Sequence, residues 1–220
     1  MISTLKLLAN VHSSWHEFLS NSIIYDETFI NNLNEAYQSN TCFPDYQDIL
    51  RFMQYPLNEI KVIILGQDPY HTKGVADGLA FSSKATKIPP SLRNIFKELN
   101  NDLGINNTSP NLESWAQQGV CLLNTYLSVK EGLPKSHHYL RWDLFIKPLI
   151  KYLDHYQSFI FVLWGNSAQD YERFINNGYL IRGGHPSPLS QRYFMNGHYF
   201  SKINALLLKQ HLSPIDWRTY

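Results

Sequence analysis

One short apolar segment, Ile60-Lys61-Val62-Ile63-Ile64-Leu65, indicates which kind of sheet this chain forms. Most of its residues are β-branched, which favours a strand. It lacks the alternation of polar and apolar residues that a half-exposed strand would have. Both of its faces are therefore expected to be covered, as in a parallel sheet that lies between helices.

Strand and helix patterns alternate along the rest of the chain. Three more strands are predicted at residues 120–123, 158–164 and 179–182. Helices are predicted at residues 92–99, 112–118, 140–153, 167–176 and 200–211, with Ser91 as the N-cap of the first and with Leu140, Leu144, Ile150 and Leu153 facing inward in the third. We therefore predict a three-layer α/β/α fold, with a central four-stranded, mainly parallel, twisted sheet flanked by helices.

The composition limits the class of protein. The chain has 220 residues, of which 44% are hydrophobic, and a net charge of +1. These values exclude a disordered chain and a polycation that coats nucleic acid by bulk charge. Cys42 and Cys121 are too few for a disulfide framework or for the usual ligands of an iron–sulfur cluster.

The expected organisation is one domain over residues 1–220, with a mostly helical part at 1–55 and an α/β core at 60–220. No apolar run is long enough to span a membrane, and the N-terminal sequence is a poor secretory signal. We therefore predict a soluble, cytoplasmic monomer.

Polar segments follow all four predicted strands. They are Gly66-Gln67-Asp68-Pro69-Tyr70-His71, Asn124-Thr125, Gly165-Asn166-Ser167 and Gly184-His185-Pro186-Ser187-Pro188-Leu189-Ser190. Ligands of open α/β sheets bind beyond the carboxyl ends of the strands, so we expect the four segments to meet in one crevice. Each segment alone has a commoner interpretation as a connecting turn, with Asp68 as an N-cap or Asx-turn residue. Their recurrence at four strand ends favours a functional site.

Five motifs, in order, resemble those of family 1 uracil-DNA glycosylases. They are the segment 66–71, Gly78-Leu79-Ala80-Phe81-Ser82, Pro89-Pro90-Ser91-Leu92, Leu122-Leu123-Asn124-Thr125, and His185-Pro186-Ser187-Pro188-Leu189-Ser190. The first and last motifs are specific, whereas the third or fourth alone would be a weak signal. The resemblance implies an enzyme of base excision repair that hydrolyses the N-glycosidic bond of deoxyuridine in DNA. Water is the nucleophile, uracil is released, an abasic site remains, and neither a metal nor another cofactor takes part.

The resemblance also implies the catalytic residues. Asp68 would orient the water and stabilise the cationic sugar, and His71 would be a second residue of the water site. His185 would hydrogen-bond uracil O2 as negative charge develops there, without full proton transfer. An isolated His71 or His185 would more commonly be structural.

Four residues would form the uracil pocket on the same resemblance. Asn124 carries a carbonyl and an amide group that match O4 and N3–H of uracil and mismatch cytosine. Tyr70 would exclude the methyl group of thymine, Phe81 would stack on the flipped base, and Gln67 would frame it.

The implied partner is DNA, single- or double-stranded, that contains uracil. A base inside a duplex has to be flipped out before the chemistry. Leu189 would be the apolar wedge that enters the vacated stack. Hydroxyl groups of Ser91, Ser187 and Ser190, with Pro90 stiffening its loop, would contact phosphates without large net charge.

The sequence departs from the family pattern at Thr72-Lys73, Asp77, Tyr126, Arg141 and Asn166, and the loop after Ser190 is one residue shorter. None of these departures removes an implied catalytic or base-reading residue. Three other interpretations remain: a glycosylase with broader pyrimidine specificity, an inactive DNA-binding homologue, and an unrelated nucleotide-binding α/β protein. Tyr70 argues against the first, Asp68 and His185 against the second, and the absence of a glycine-rich phosphate loop against the third.

Overall fold

The computed structural model describes residues 3–38 and 41–220. The strands within them are β1 (Cys42–Phe43), β2 (Val62–Gly66), β3 (Val120–Asn124), β4 (Val129–Lys130), β5 (Ile160–Trp164) and β6 (Tyr179–Gly183). Four parallel strands form the central sheet, in the order β3-β2-β5-β6, and the antiparallel strands β1 and β4 form a small second sheet. The predicted four-stranded parallel sheet is confirmed. The small sheet was not predicted, because two-residue strands carry no measurable periodicity.

The central strands are buried throughout. Every residue of β2, β3 and β5 is buried, whereas only Ile181 is buried in the edge strand β6. Gly66 and Asn124 are register partners at the carboxyl ends of β2 and β3. The pairing therefore places the polar segments that follow these two strands side by side.

Helices flank the sheet. They are α1 (Thr4–Leu8), α2 (His16–Leu19), α3 (Glu27–Tyr37), α4 (Pro90–Leu103), α5 (Glu113–Ala116), α6 (Asp143–Tyr156), α7 (Asn166–Gln169), α8 (Gln191–Phe194) and α9 (Tyr199–Lys209). The connection from β2 to β3 runs in the opposite direction to the connection from β3 to β5. Right-handed crossovers in opposite directions put α4 and α6 on opposite faces, and the point where the direction reverses lies between β2 and β5. In the described part of the chain, no helix has the length and apolarity needed to cross a membrane.

The helix predicted at 140–153 begins later than expected. Helix α6 begins at Asp143, and Leu140 belongs to a separate 3-10 turn, Ser136–Leu140. Arg141, with φ of +56°, lies between them, so the helical phase restarts after it. Leu144 is consequently 45% exposed, and its predicted inward orientation is wrong. The other three predicted inward residues, Leu140, Ile150 and Leu153, are buried.

Two further helix predictions need correction. Helix α4 begins at Pro90 with Pro89 in the cap position, so Ser91 lies inside the first turn and is not the N-cap. Proline is favoured at the first helical position because its fixed φ is already helical and its missing N–H would have no partner there. The helix predicted at 167–176 ends at Gln169 and is followed by a single 3-10 turn, Glu172–Phe174.

The predicted helical part at 1–55 contains α1 to α3 and several 3-10 turns, together with the short strand β1. Met1, Ile2, Ser39 and Asn40 fall in this part and lie outside the described residues. Buried apolar side chains form one contiguous cluster that includes Leu7 near one end of the chain and Trp217 near the other.

Candidate active site

A small cavity of about 170 Å³ opens at the carboxyl ends of the strands. It is smaller than the roughly 300–1,000 Å³ typical of pockets for drug-sized ligands, and so suits a ligand of one ring. Its lining includes seven of the predicted site residues, Gln67, Asp68, Tyr70, His71, Phe81, Ser91 and His185, together with Pro69, Ala76, Leu79, Ser82 and Pro134. Segments that are far apart in the sequence thus meet at one cavity.

The carboxylate of Asp68 is held at the cavity by two hydrogen bonds. Gln67 Nε2 donates to Oδ1 at 2.7 Å, and the backbone N–H of Lys135 donates to Oδ2 at 2.8 Å. Ser167 in turn donates its hydroxyl to Gln67 Oε1 at 3.0 Å. The orientation of Asp68 therefore depends on the loop that contains Lys135 and on helix α7, as well as on its own loop. Sequence analysis placed Ser167 in a strand-end segment but did not predict its contact with Gln67, and it did not identify Lys135, since neither contact has a local sequence signal.

The ring of His185 is set up to donate from Nε2. Its Nδ1 atom lies 3.1 Å from the backbone nitrogen of Ser187 and accepts a hydrogen bond from that N–H group. Burial lowers the pKa of His185, and nearby Asp68 raises it while Lys135 lowers it. A neutral ring whose Nδ1 accepts carries its proton on Nε2. His185 therefore offers a neutral N–H donor at the cavity.

The carboxamide of Asn124 lies beside the cavity and does not line it directly. A Cβ atom at Gly66 would lie 2.3 Å from Asn124 Oδ1 and 3.4 Å from Phe81 Cε2, so carboxamide and ring both border the space that glycine leaves open. Asn124 is 4% exposed, and its carboxamide makes no hydrogen bond to the described residues. Its carbonyl and amide groups are therefore free to pair with a ligand at this edge of the cavity.

Phe81 and Tyr70 form aromatic walls of the cavity. Phe81 has φ of +65°, a conformation that costs a non-glycine residue about 1–2 kcal/mol. The Tyr70 hydroxyl donates to the Phe81 carbonyl at 3.0 Å and helps to hold it there. The Phe81 ring centroid lies 6.2 Å from that of His185. Burial raises the pKa of Tyr70, so its phenol stays neutral.

Asp77 supports the turn that presents Phe81. It is 2% exposed and accepts hydrogen bonds from the backbone of Leu79 at 3.1 Å and from the hydroxyl of Ser82 at 2.6 Å. Arg51 pairs with its carboxylate at 3.1 Å. The sequence marked Asp77 as a departure from the family pattern but did not identify Arg51, whose partner is 26 residues away along the chain.

The predicted DNA-contacting residues lie on the loop after β6 and in the first turn of α4, near the cavity. Leu189 is 95% exposed at the tip of the 3-10 turn Pro188–Ser190 and lies outside the cavity. Ser187 and Ser190 are partly exposed on the same loop, and Pro90 is exposed at the start of α4. A hydrogen bond connects the helix to the loop: Asn94 Nδ2 in α4 donates to the Pro186 carbonyl at 2.8 Å.

Comparison with known proteins places this arrangement in a family. Residues 52–208 match the model of the uracil DNA glycosylase superfamily. A uracil-DNA glycosylase of Fusobacterium nucleatum is 42% identical over 223 residues, covering 96% of this chain and 97% of that protein. One from Buchnera aphidicola is 46% identical over 183 residues, covering 80% of this chain and 83% of that protein.

A solved structure agrees with the sequence relatives. The crystal structure of mimivirus uracil-DNA glycosylase superposes with a TM-score of 0.86 and 26% identity, covering 97% of this chain and 89% of that chain. The family model spans most of the chain, and the relatives exceed 40% identity over most of its length. This chain therefore belongs to the uracil DNA glycosylase superfamily.

Proposed function

We propose that this protein flips uracil out of DNA and hydrolyses its N-glycosidic bond, releasing free uracil and leaving an abasic site for base excision repair. The observation that carries the proposal is a cavity whose size suits one ring, walled by Tyr70 and Phe81 and bordered by the carboxamide of Asn124. Asp68 and the neutral ring of His185 line that same cavity.

Asp68 is the proposed water-orienting residue. Its two hydrogen bonds fix the carboxylate, so it can hold a water molecule and stabilise the positive charge that develops on the sugar. His71 lines the cavity three residues later and is proposed as the second residue of the water site. General-base and electrostatic assistance of this kind accelerates hydrolysis without a covalent intermediate.

His185 is proposed to stabilise the leaving group. As the bond breaks, negative charge develops on uracil O2, and a fixed N–H donor binds the transition state more tightly than the ground state. The lowered pKa of His185 supports a neutral donor in this role, since it would keep its Nε2 proton throughout.

Asn124, Tyr70, Phe81 and Gln67 are proposed to select the base. A carboxamide that pairs with O4 and N3–H of uracil leaves groups unpaired against cytosine, which can discriminate by as much as ~10⁴-fold. Tyr70 is held by its bond to the Phe81 carbonyl, so its ring can act as a steric barrier to the thymine methyl group. Phe81 would stack on the base, and Gln67 would frame it.

The proposed DNA-contacting surface consists of the loop after β6 and the first turn of α4. The exposed side chain of Leu189 fits the role of a wedge in the vacated stack. Ser91, Ser187 and Ser190 would contact the flanking phosphates, and Pro90 would fix the first turn of α4, which carries Ser91. Contacts of this kind suit a chain whose net charge is only +1.

We further propose that residues 1–220 act as one domain, as a cytoplasmic monomer without a metal or cofactor. The contiguous apolar cluster from Leu7 to Trp217 supports the single domain.

The direct test is base release from matched oligonucleotides that contain uracil, thymine or cytosine at one position, with a chelator present. Release of uracil alone supports the proposal. Release of thymine at a comparable rate would favour the broader pyrimidine glycosylase, and no release of any base would refute the activity. Loss of uracil release on adding the chelator would refute the metal-free mechanism.

A further inference from the structure

A second cleft, of about 340 Å³, lies directly beside the candidate active site. Its walls come from the end of β3, the loop before α6 with the first two turns of α6, and α7 with the 3-10 turn that follows it. It shares no lining residue with the uracil cavity.

Three lining residues of this cleft bond directly to the catalytic loop. The Thr125 hydroxyl donates to the Gln67 carbonyl at 2.9 Å, and the Ser167 hydroxyl donates to Gln67 Oε1 at 3.0 Å. The backbone N–H of Lys135 holds the Asp68 carboxylate. The cleft and the uracil cavity are therefore on two sides of the same residues, Gln67 and Asp68.

The cleft is positively charged, and we call it the basic cleft. It is lined by four cationic side chains and two carboxylates, which leaves two net positive charges, against +1 for the whole chain; the residues are Lys135, Arg141, Lys147, Arg173, Asp143 and Asp170. Asp143 is bonded by Arg141 and Lys147, each at 2.9 Å. Lys135 is exposed, and its ammonium group forms no ion pair within residues 3–38 and 41–220. Positive charge is thus available to a ligand.

Aromatic side chains lie among these charges. Tyr126, Tyr171 and Phe174 contribute to the walls, and Arg173 lies over the Phe174 ring at 5.0 Å from its centroid. Basic grooves with aromatic surfaces are the usual means of binding a single strand of nucleic acid. A small free anion would bind to the cations alone and would gain nothing from stacking on the aromatic rings.

We propose that the basic cleft binds the DNA strand that carries the flipped nucleotide, through phosphates beyond those next to the uracil. The proposal rests on the proposed uracil-DNA glycosylase activity, because the strand enters the cleft only when its uracil occupies the neighbouring cavity. The side chains of Arg141 and Arg173 make the phosphate contacts. Those contacts raise affinity for longer substrates and leave the chemical step unchanged.

The test uses two double variants. Arg141→Gln with Arg173→Gln removes one cation bonded to a carboxylate two residues away and one cation that forms no ion pair with the described residues. Lys209→Gln with Arg218→Gln is the matched control, since Lys209 forms no ion pair with the described residues and Arg218 bonds Asp216 in the same way, and neither lines the uracil cavity. Substrates are a single-stranded trinucleotide with central uracil and the same core extended by six nucleotides on its 5′ or its 3′ side.

For the wild type and the control, we expect extension on one side to raise kcat/KM, and this gain to weaken with salt. In the cleft variant, loss of two phosphate contacts should reduce the slope of log kcat/KM against log salt by about 1.4, which is about sevenfold between 50 and 200 mM. The single-turnover rate at saturating enzyme, and kcat/KM for the trinucleotide, should stay within about twofold of the control.

The outcomes separate the two proposals. A wild type that releases uracil, with a cleft variant whose salt slope and length dependence equal those of the control, overturns the cleft and leaves the function standing. A cleft variant that also loses activity on the trinucleotide overturns the cleft as a strand-binding site, since the residues then act on the chemistry. A wild type that releases no uracil overturns the proposed function, and the cleft falls with it.

Discussion

Replacing Arg51 by methionine would leave the buried carboxylate of Asp77 without its cation. The side chains of Arg51 and Asp77 are 14% and 3% exposed, so water cannot take the place of the guanidinium. Removing one partner of a buried pair costs about 3–5 kcal/mol, because the remaining charge is uncompensated. For a protein of this size that loss lowers the melting temperature by roughly 6–20 °C.

The assay is urea and thermal unfolding of the wild type, Arg51→Met, and the double variant Arg51→Met with Asp77→Asn. The double variant should recover most of the lost stability, because it removes both charges and the carboxamide oxygen of the new side chain would still accept from the Leu79 N–H. Uracil release should recover with it, since this turn presents Phe81. Glu113, the second partner of Arg51, should contribute little to the loss of stability. Its side chain is 43% exposed, so water can solvate the carboxylate once the guanidinium is removed.

The pH dependence of the stability loss tests the same ion pair independently. Burial raises the pKa of Asp77, and Ser82 and Arg51 lower it, so removing Arg51 raises it further. A carboxyl whose pKa is higher in the folded than in the unfolded state destabilises the fold at neutral pH, and this cost vanishes as pH falls through the folded-state value. The deficit of Arg51→Met should therefore shrink as pH falls below 7. A loss below about 1 kcal/mol at pH 7, or a deficit that does not change with pH, would refute the account of this pair.

Four further variants test the candidate site itself. Asp68→Asn should slow single-turnover uracil release by about 10²- to 10⁴-fold with nearly unchanged DNA binding, and an unchanged rate would remove Asp68 from the mechanism. Asn124→Asp exchanges a donor for an acceptor and should reduce the preference for uracil over cytosine in a competition assay; an undiminished preference would contradict its role. Tyr70→Ala should permit measurable thymine release from a thymine-containing oligonucleotide, and its absence would argue against a steric barrier. Gly66→Ala should cost about 10²-fold in kcat/KM, because the new Cβ would lie 2.3 Å from Asn124 Oδ1, whereas wild-type kinetics would show that the carboxamide is not confined there.

The sheet was predictable because its strands are apolar along their whole length. The segment at 60–65 has almost no polar residue, and its short length and β-branched residues favour a strand covered on both faces over a buried helix. The location of the polar segments was predictable as a consequence. Once the parallel strands are identified, the segments that follow them must lie at the carboxyl edge of the sheet. Leu144 was misplaced because the left-handed conformation of Arg141, which resets the helical phase, has no sequence signal in a non-glycine residue.

The supporting contacts of the site could not be predicted. Motifs identified Asp68 and Gln67 but not the groups that orient them, which lie 67 and 100 residues away at Lys135 and Ser167. Arg51 was missed although a buried Asp77 requires a cation, because the sequence did not indicate that Asp77 is buried. Long-range partners of this kind depend on how loops pack together, and no local pattern encodes them.

The central claim is that one uracil ring is read by side chains from separate strand ends. A crystal structure of the protein with free uracil tests it most directly. The account predicts that Asn124 pairs with O4 and N3–H, that His185 Nε2 donates to O2, and that the Tyr70 ring contacts C5. Uracil bound elsewhere, or bound in the cavity with its O4 and N3–H edge turned away from Asn124, would contradict it.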